Sequence, residues 1–427
     1  MNKKYVGVGM LLLLLAGIVV FGSVSANRHK GKEKEESERV HLEDAQVKPF
    51  DEVKETYQDE IKEAVNGKYP NLKLEEDMKC EIQSIEKISC IRMEQNMDYC
   101  KNTHQENLNR MKETVENFFG ESFDIHSMVA TVLYGEKEQG FNAEELSYEQ
   151  LQTLISQEQF QGDKYFILFG DERENGKGFA QIDTNLFNVW FSRGEMEATM
   201  PMMSYNTKKV YNLTTGKGNL NDQVELIDGN ITIRSAIEYV ENFLNRDLPY
   251  EKNEDYIYKV AEVRVLDVDG QDALGFCVRR TYHGIAFDYV DGITCDEFNS
   301  DYMDDRGEIC MIKTNEIDNM CGLTGSVNEI QEDGKEITEI LSLDSALGIL
   351  SESIGENSIY DVYGMEIVYQ VVEQDGNEDD GEIGYIQYGR PKWKIMAKNQ
   401  NDDKYTWFYV DLENGEMNYR FQDIFEE

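Results

Sequence analysis

The chain has 427 residues, 40% hydrophobic and 11% aromatic, with 42 Lys and Arg against 84 Asp and Glu and a formal net charge of −42. That length and apolar content allow about two to four domains with real cores, and the aromatic content argues against an intrinsically disordered polymer. So acidic a chain repels phosphate and anionic headgroups, which excludes general nucleic-acid binding and a polybasic grip on a membrane surface.

Lys3 and Lys4 precede an uncharged stretch, residues 5–26, centred on the run Leu11 to Leu15. A basic segment before an apolar run is the pattern that export machinery reads. Val24-Ser25-Ala26 offers the small residues of a cleavage site, yet the stretch is also long enough to span a bilayer as a helix. The first cysteine is Cys80, which excludes a lipoprotein anchor. Residues 1–26 are therefore expected to be a signal peptide or a membrane anchor, and the anchor, with the body outside the cell, is the reading adopted. Residues 27–48 are rich in Lys and Glu and read as a solvated stalk.

Val53, Tyr57, Ile61 and Ala64 recur at helical spacing before Gly67 and Pro70, which predicts the first helix of the body. Alternation over 80–93 predicts strands, and residues 108–119 form a second amphipathic pattern closed by Gly120. A loose internal repetition follows. Its first copy opens a helix at Leu146-Ser147-Tyr148 and continues with strands at 165–169, 179–182 and 187–191. The second has Thr232 as N-cap, Ala236, Val240, Phe243 and Leu244 on one helical face, strands at 258–267 and 273–279 joined by Asp269-Gly270, and a strand at 285–290. The third starts a helix at Leu341-Ser342-Leu343-Asp344 and continues with strands at 365–372, 393–397, 405–410 and 417–421. The last two strands are joined by the turn Glu413-Asn414-Gly415-Glu416.

The predicted fold class is α+β, with tandem units of one helix packed on a small antiparallel sheet, not the strand–helix alternation of a nucleotide-binding fold. The polar stretches 206–222 and 328–336 place boundaries that give an N-terminal α+β region at 49–210, a central unit at 211–327 and a C-terminal unit at 328–427.

Pro391-Lys392-Trp393-Lys394-Ile395, followed after a polar gap by Tyr409-Val410-Asp411-Leu412-Glu413-Asn414-Gly415-Glu416, resembles the paired C-terminal strands of PepSY-type domains. The same cadence, and the helix opening at Ser342-Leu343-Asp344-Ser345-Ala346-Leu347, are similar to the extracytoplasmic YycH and YycI type accessory proteins of Gram-positive sensor kinases. The resemblance covers about 80 residues at the C-terminus, with weaker echoes in the two earlier units. It implies a short cytoplasmic N-terminus, one membrane helix and a regulatory role beside a sensor kinase. Fold likeness alone associates a function without demonstrating it.

Chemistry-bearing motifs are sparse. The five His are His29, His41, His104, His126 and His283, none at metal-ligand spacing with another. Ser84-Ile85-Glu86-Lys87 has the spacing of a Ser–Lys nucleophile pair without its partner motifs. Asp267 to Asp272 and Asp375 to Asp380 read as hairpin loops, with calcium as the alternative, and Asp301 to Asp305 with Glu297 is a third acidic patch of the same kind. The seven Cys, at 80, 90, 100, 277, 295, 310 and 321, contain no C-x-x-C and leave disulfides and thiols equally open. Trp190, Trp393 and Trp407 fall in predicted strands as core residues; Trp407-Phe408-Tyr409 carries aromatics on both faces, so at least one is expected to point outward. Asn212-Leu213-Thr214 and Asn230-Ile231-Thr232 are sequons by pattern alone.

The reading that results is a non-enzymatic, membrane-anchored extracytoplasmic protein with a binding or regulatory role, accessory to a sensor kinase. Expected partners are a membrane protein met through the N-terminal helix, and a peptide or surface ligand taken up at a strand edge. Membrane association comes through residues 5–26. No catalytic, metal or cofactor residue is assigned. The alternatives are a cell-envelope hydrolase working through carboxylates and a secreted solute- or peptide-binding module.

Overall fold

The computed structural model describes residues 46–75, 78, 80, 82–95, 109, 129–134, 142–155, 165–170, 179–183, 188–192, 205–214, 216–247, 256–289, 306–317, 319–324, 328–355, 358–374, 386–402 and 404–422. In chain order the elements begin with β1 (Val47–Pro49), α1 (Phe50–Val65), β2 (Leu72–Leu74), β3 (Cys90–Gln95), β4 (Val129–Tyr134), β5 (Asn142–Ser147), α2 (Tyr148–Ile155), β6 (Tyr165–Gly170), β7 (Phe179–Asp183) and β8 (Asn188–Ser192). The middle of the chain holds β9 (Asn206–Asn212), β10 (Gln223–Leu226), β11 (Gly229–Thr232), α3 (Ile233–Asn242) with a π-helical turn at Phe243–Asp247, β12 (Tyr256–Val268), β13 (Gln271–Tyr282), β14 (Ile285–Tyr289), β15 (Arg306–Met311) and β16 (Asn319–Thr324). The last part holds β17 (Asn328–Asp333), β18 (Glu339–Leu341), α4 (Leu343–Ile354), β19 (Tyr360–Gln374), β20 (Ile386–Asn399), β21 (Tyr405–Asp411) and β22 (Met417–Gln422).

The architecture is mixed helix and sheet, dominated by sheet, with four α-helices among the described residues. Most strands belong to one branched sheet. From β9 the order runs through β12 to β13, where the sheet forks. The part of β13 from Leu274 to Arg279 pairs with β15, leading through β16 and β8 to β7, β6, β4 and β5. Its last residues, Thr281 and Tyr282, pair with β14, which continues into β19, β20, β21 and β22. A second fork on β20 leads through β3 to β17. Among the described residues no path of strand pairings returns to its start.

Two pairings, β14 with β19 and β2 with β19, are parallel. This corrects the expectation of purely antiparallel sheets: both join segments far apart in sequence, where no hairpin imposes direction. The polar stretches expected as boundaries carry β9, paired with β12, and β17, paired with β3.

Two large cores lie against this sheet. In one, α3 buries Ile233, Ala236, Ile237 and Val240 on Val260, Val263, Leu274 and Phe276 of β12 and β13, with Tyr148 and Leu151 of α2 beside them. In the other, α1 and α4 lie together on β19, β20 and β21. The apolar face of α1 is Phe50, Val53, Tyr57, Ile61 and Ala64, with acidic residues in its first turn and Lys62 in its last, as the helix dipole favours. The Ser342 hydroxyl caps α4 by accepting from the Ser345 amide at 3.1 Å, and Gly355 at φ +72° ends the helix. Thr232 caps α3 in the same way, as its sequence predicts. The segments of α1 and α4 are distant in the chain yet share one core, and the Glu60 carboxylate of α1 accepts from the Asp344 amide at the start of α4 (3.0 Å).

Candidate functional site

The face of β20 and β21 under the helices carries Trp393, Ile395, Phe408 and Val410. The opposite face carries charge. Asp288 of β14 receives Lys394 Nζ of β20 at 2.6 Å, Arg420 Nη2 of β22 at 2.9 Å and the Tyr409 hydroxyl of β21 at 3.1 Å. Glu366 of β19 takes a two-pronged contact from Arg279 of β13 at 3.1 and 2.5 Å, and Lys394 stands 3.6 Å away. Trp407 lies between two cations, with Lys394 at 3.6 Å and Arg420 at 4.4 Å from its ring centre. Thr214, in the turn after β9, accepts from Arg279 at 3.3 Å and so lies over this face.

Asp288, Glu366 and Lys394 are buried. Burial alone would raise the Glu366 pKa, but Arg279 and then Lys394 outweigh it and hold the carboxyl below its usual range. Burial lowers the Lys394 pKa against the pull of Asp288 and Glu366. With three cations around two carboxylates, the cluster is held by mutual pairing that no water can replace. It joins five strands, β13, β14, β19, β20 and β22, at the fork of the sheet.

The outermost of these strands is β22. Its register sets Tyr419 opposite Phe408 and Met417 opposite Val410, so Met417, Tyr419 and Phe421 lie on the helix-bearing face while Asn418 and Arg420 face the charges. Arg420 is tied to Asp288, and Asn418 and Gln370 exchange amide hydrogen bonds at 2.9 and 3.0 Å. On the other face a row of rings runs outward: Tyr360 to Phe408 at 5.2 Å, Phe408 to Tyr419 at 6.2 Å and Tyr419 to Phe421 at 5.4 Å. Its inner members are buried, whereas Tyr419 is 57% and Phe421 59% exposed. Among the described residues β22 pairs only with β21 and so ends the sheet on that side.

The motifs singled out in the sequence lie elsewhere. Lys87 binds Glu332 at 2.5 and 2.7 Å, which keeps its ammonium charged, while Ser84 sits exposed in a turn; the two do not form a nucleophile and base. Asp269 and Gly270 make the hairpin turn of β12 and β13 at φ 53° and 86°. Around it Asp267 accepts from the Gly270 amide, and both Asp267 and Asp272 pair with Lys208. Among the described residues no group of three or more His, Cys, Asp or Glu could hold a metal ion. Residues 297, 301–305 and 375–380, His29, His41, His104 and His126, the side chain of Trp190 and most of the 108–119 helix lie outside the described residues.

Trp393 is fully buried and donates to the Leu341 carbonyl at 2.9 Å. Of Trp407-Phe408-Tyr409, where at least one outward ring was expected, only Trp407 keeps partial exposure. Phe408 and Tyr409 are buried, while Trp407, on the face opposite Phe408, is partly buried with Lys394 and Arg420 against its ring. The outward aromatics sit one strand later, in β22. Sequence reading placed that strand but not its exposure, and it assigned no site role to Asp288, Glu366 or Lys394, whose burial no local pattern signals.

Among the described residues no helix is long and apolar enough to cross a membrane, and residues 5–26 lie outside them. No protein-family model matches this chain, and no curated relative does. Among solved structures, the C-terminal domain of Bacillus megaterium YpeB is similar over 75% of this chain and 98% of its own, at 10% identity and a TM-score of 0.33. That similarity accords loosely with the PepSY-type resemblance and is too distant to carry an argument.

Proposed function

We propose that this chain is a non-enzymatic binding protein, held outside the cell membrane by residues 5–26, that takes up an extended segment of another protein along β22. The observation that supports the reading is the exposure of two rings, Tyr419 and Phe421, on a strand that among the described residues is paired on one side only. Strand addition draws affinity from main-chain hydrogen bonds and selectivity from alternate side chains, and β22 offers both. The strand is also braced from behind by Arg420 on Asp288, so it is organised before a partner arrives. The units of helix and sheet, with the strand pattern that resembles PepSY-type and sensor-kinase accessory proteins, are the reason to place that partner in the same membrane and to propose a regulatory role beside a sensor kinase.

The hydrolase alternative is weaker. Two buried carboxylates that the fold brings together, Asp288 and Glu366, are paired with cations, and Glu366 is held below its usual pKa where a general acid needs the opposite.

The test is a photo-crosslinking amino acid placed at Phe421 in living cells, with the same probe at exposed Ile227 as control, followed by fractionation and mass determination of the N-terminus. Adducts specific to position 421, on a membrane-fraction chain retaining residues 1–26, are the expected result. Adducts at neither position, or a soluble chain beginning at Asn27, would overturn the reading.

A further inference from the structure

We infer that the segment taken up along β22 is cationic: an extended stretch of another protein with alternate apolar residues over Tyr419 and Phe421 and Lys or Arg at both its ends. The inference rests on the strand-addition reading and names the chemistry of its partner. The strand carries Met417, Tyr419 and Phe421 on one face and Asn418 and Arg420 on the other. Residues directly opposite in paired strands share a face, so a partner meets the two rings, 57% and 59% exposed, with side chains at alternate positions.

Charge selects the ends. Glu413 stands exposed in the turn before β22, and Glu416 immediately precedes the strand. At the far end Asp402 is exposed in the adjoining turn with Asp403 next to it in the sequence, and Asp423, Glu426 and Glu427 follow the strand. Against them stand two cations, both engaged: Arg420 holds Asp288 at 2.9 Å, and Lys404 lies 3.7 Å from Asp402 and 5.5 Å over the Phe421 ring. The strand is therefore acidic at both ends, which favours a basic residue at each end of a partner whichever way it runs. A second copy of this chain brings acid to acid in either direction. Lys404 also shows that the Phe421 ring takes a cation on its face, and the exposed Tyr419 ring offers the same contact to a partner's Lys or Arg. The net charge of −42 adds to the attraction as salt falls.

The experiment uses the full-length chain in mild detergent and three dye-labelled synthetic peptides of about ten residues, enough to run along the six of β22 with a flank at each end. All three share one core of alternating Val and Thr and carry a pair of Lys, of Gln or of Glu residues at each end, and fluorescence anisotropy measures their binding. The Lys-flanked peptide is expected to bind at least about tenfold tighter than the Gln-flanked one, and the Glu-flanked one most weakly. The difference should shrink as salt rises from about 0.05 to about 0.5 M. Phe421→Ser is expected to weaken the Lys-flanked peptide about tenfold. Glu413→Lys should weaken it about threefold and leave the Gln-flanked peptide unchanged. Thermal unfolding of each variant confirms that these exposed changes leave the fold intact. Equal binding of the Lys- and Gln-flanked peptides, a Lys-flanked affinity untouched by Phe421→Ser, or no binding of any peptide overturns the inference. If it falls while the probe at position 421 still joins a membrane protein, the chemistry of the partner is wrong and the strand-addition reading stands. Loss of those adducts as well removes both.

Discussion

Glu366 shows how one buried charge carries several neighbours. Its carboxylate answers Arg279 and Lys394, and Lys394 in turn answers Asp288. Removing one member of such a group leaves its partners charged and dry, which costs about 3–5 kcal/mol. Glu366→Gln is therefore expected to destabilise the fold by that order at neutral pH. Because the native pKa is depressed, the contribution is full above the ordinary carboxylate value of about 4.3 and is lost as pH falls through the lower native value. The stability gap between wild type and Glu366→Gln should be widest near pH 7 and shrink below about pH 4. Denaturant titrations at both pH values decide this, and a gap that does not change with pH would mean the carboxylate is not ionised in the fold. Nothing in the sequence marks Glu366 among 84 acidic residues. It is one charge between Met365 and Ile367, and only the fold brings Arg279 of β13 and Lys394 of β20 against it.

Among the elements, hairpins and caps are where local sequence and structure agree. Asp269-Gly270 turns β12 into β13, and Ser342 and Thr232 cap α4 and α3, because turn geometry and orphan amides at helix ends are satisfied by nearby side chains. The turn His283-Gly284 between β13 and β14 is a different case. Gly284 has φ +82°, and a Cβ there would stand 2.5 Å from the Ser84 carbonyl oxygen. Gly270 has φ +86° with nothing within 4 Å. Gly270→Ala is expected to cost about 1–2 kcal/mol for the left-handed conformation alone. Gly284→Ala should cost at least about 1 kcal/mol more, since backbone has to move as well. Chemical unfolding of the two variants compares them, and equal losses would show that the segment around Ser84 does not press on the turn. The sequence signals Gly270 as a turn former, but not that Gly284 stands against the backbone at Ser84.

Across the whole molecule, two helices from opposite ends of the described chain stabilise one sheet. Leu347 of α4 is fully buried in the core it shares with α1. Leu347→Ala should cost about 2–5 kcal/mol. In hydrogen exchange, amides of α1 are expected to open with those of α4 in this variant, while those of α3, in the other large core, open less. Equal acceleration in α3 would show that the two cores unfold as one.

The sequence by itself determined composition-level exclusions, the apolar N-terminal segment, and the position of α1, α3, α4 and most strands from β12 onward, since periodicity, caps and turns are written within a few residues of where they act. It did not determine that α1 packs with α4, that β14 runs parallel to β19, that Asp288, Glu366 and Lys394 meet in the dark, or that Tyr419 and Phe421 stay in the light. Those were decided by tertiary structure. Which strand edges pair, and which faces are covered, depend on the fit between surfaces contributed by segments hundreds of residues apart, and no local pattern carries that fit.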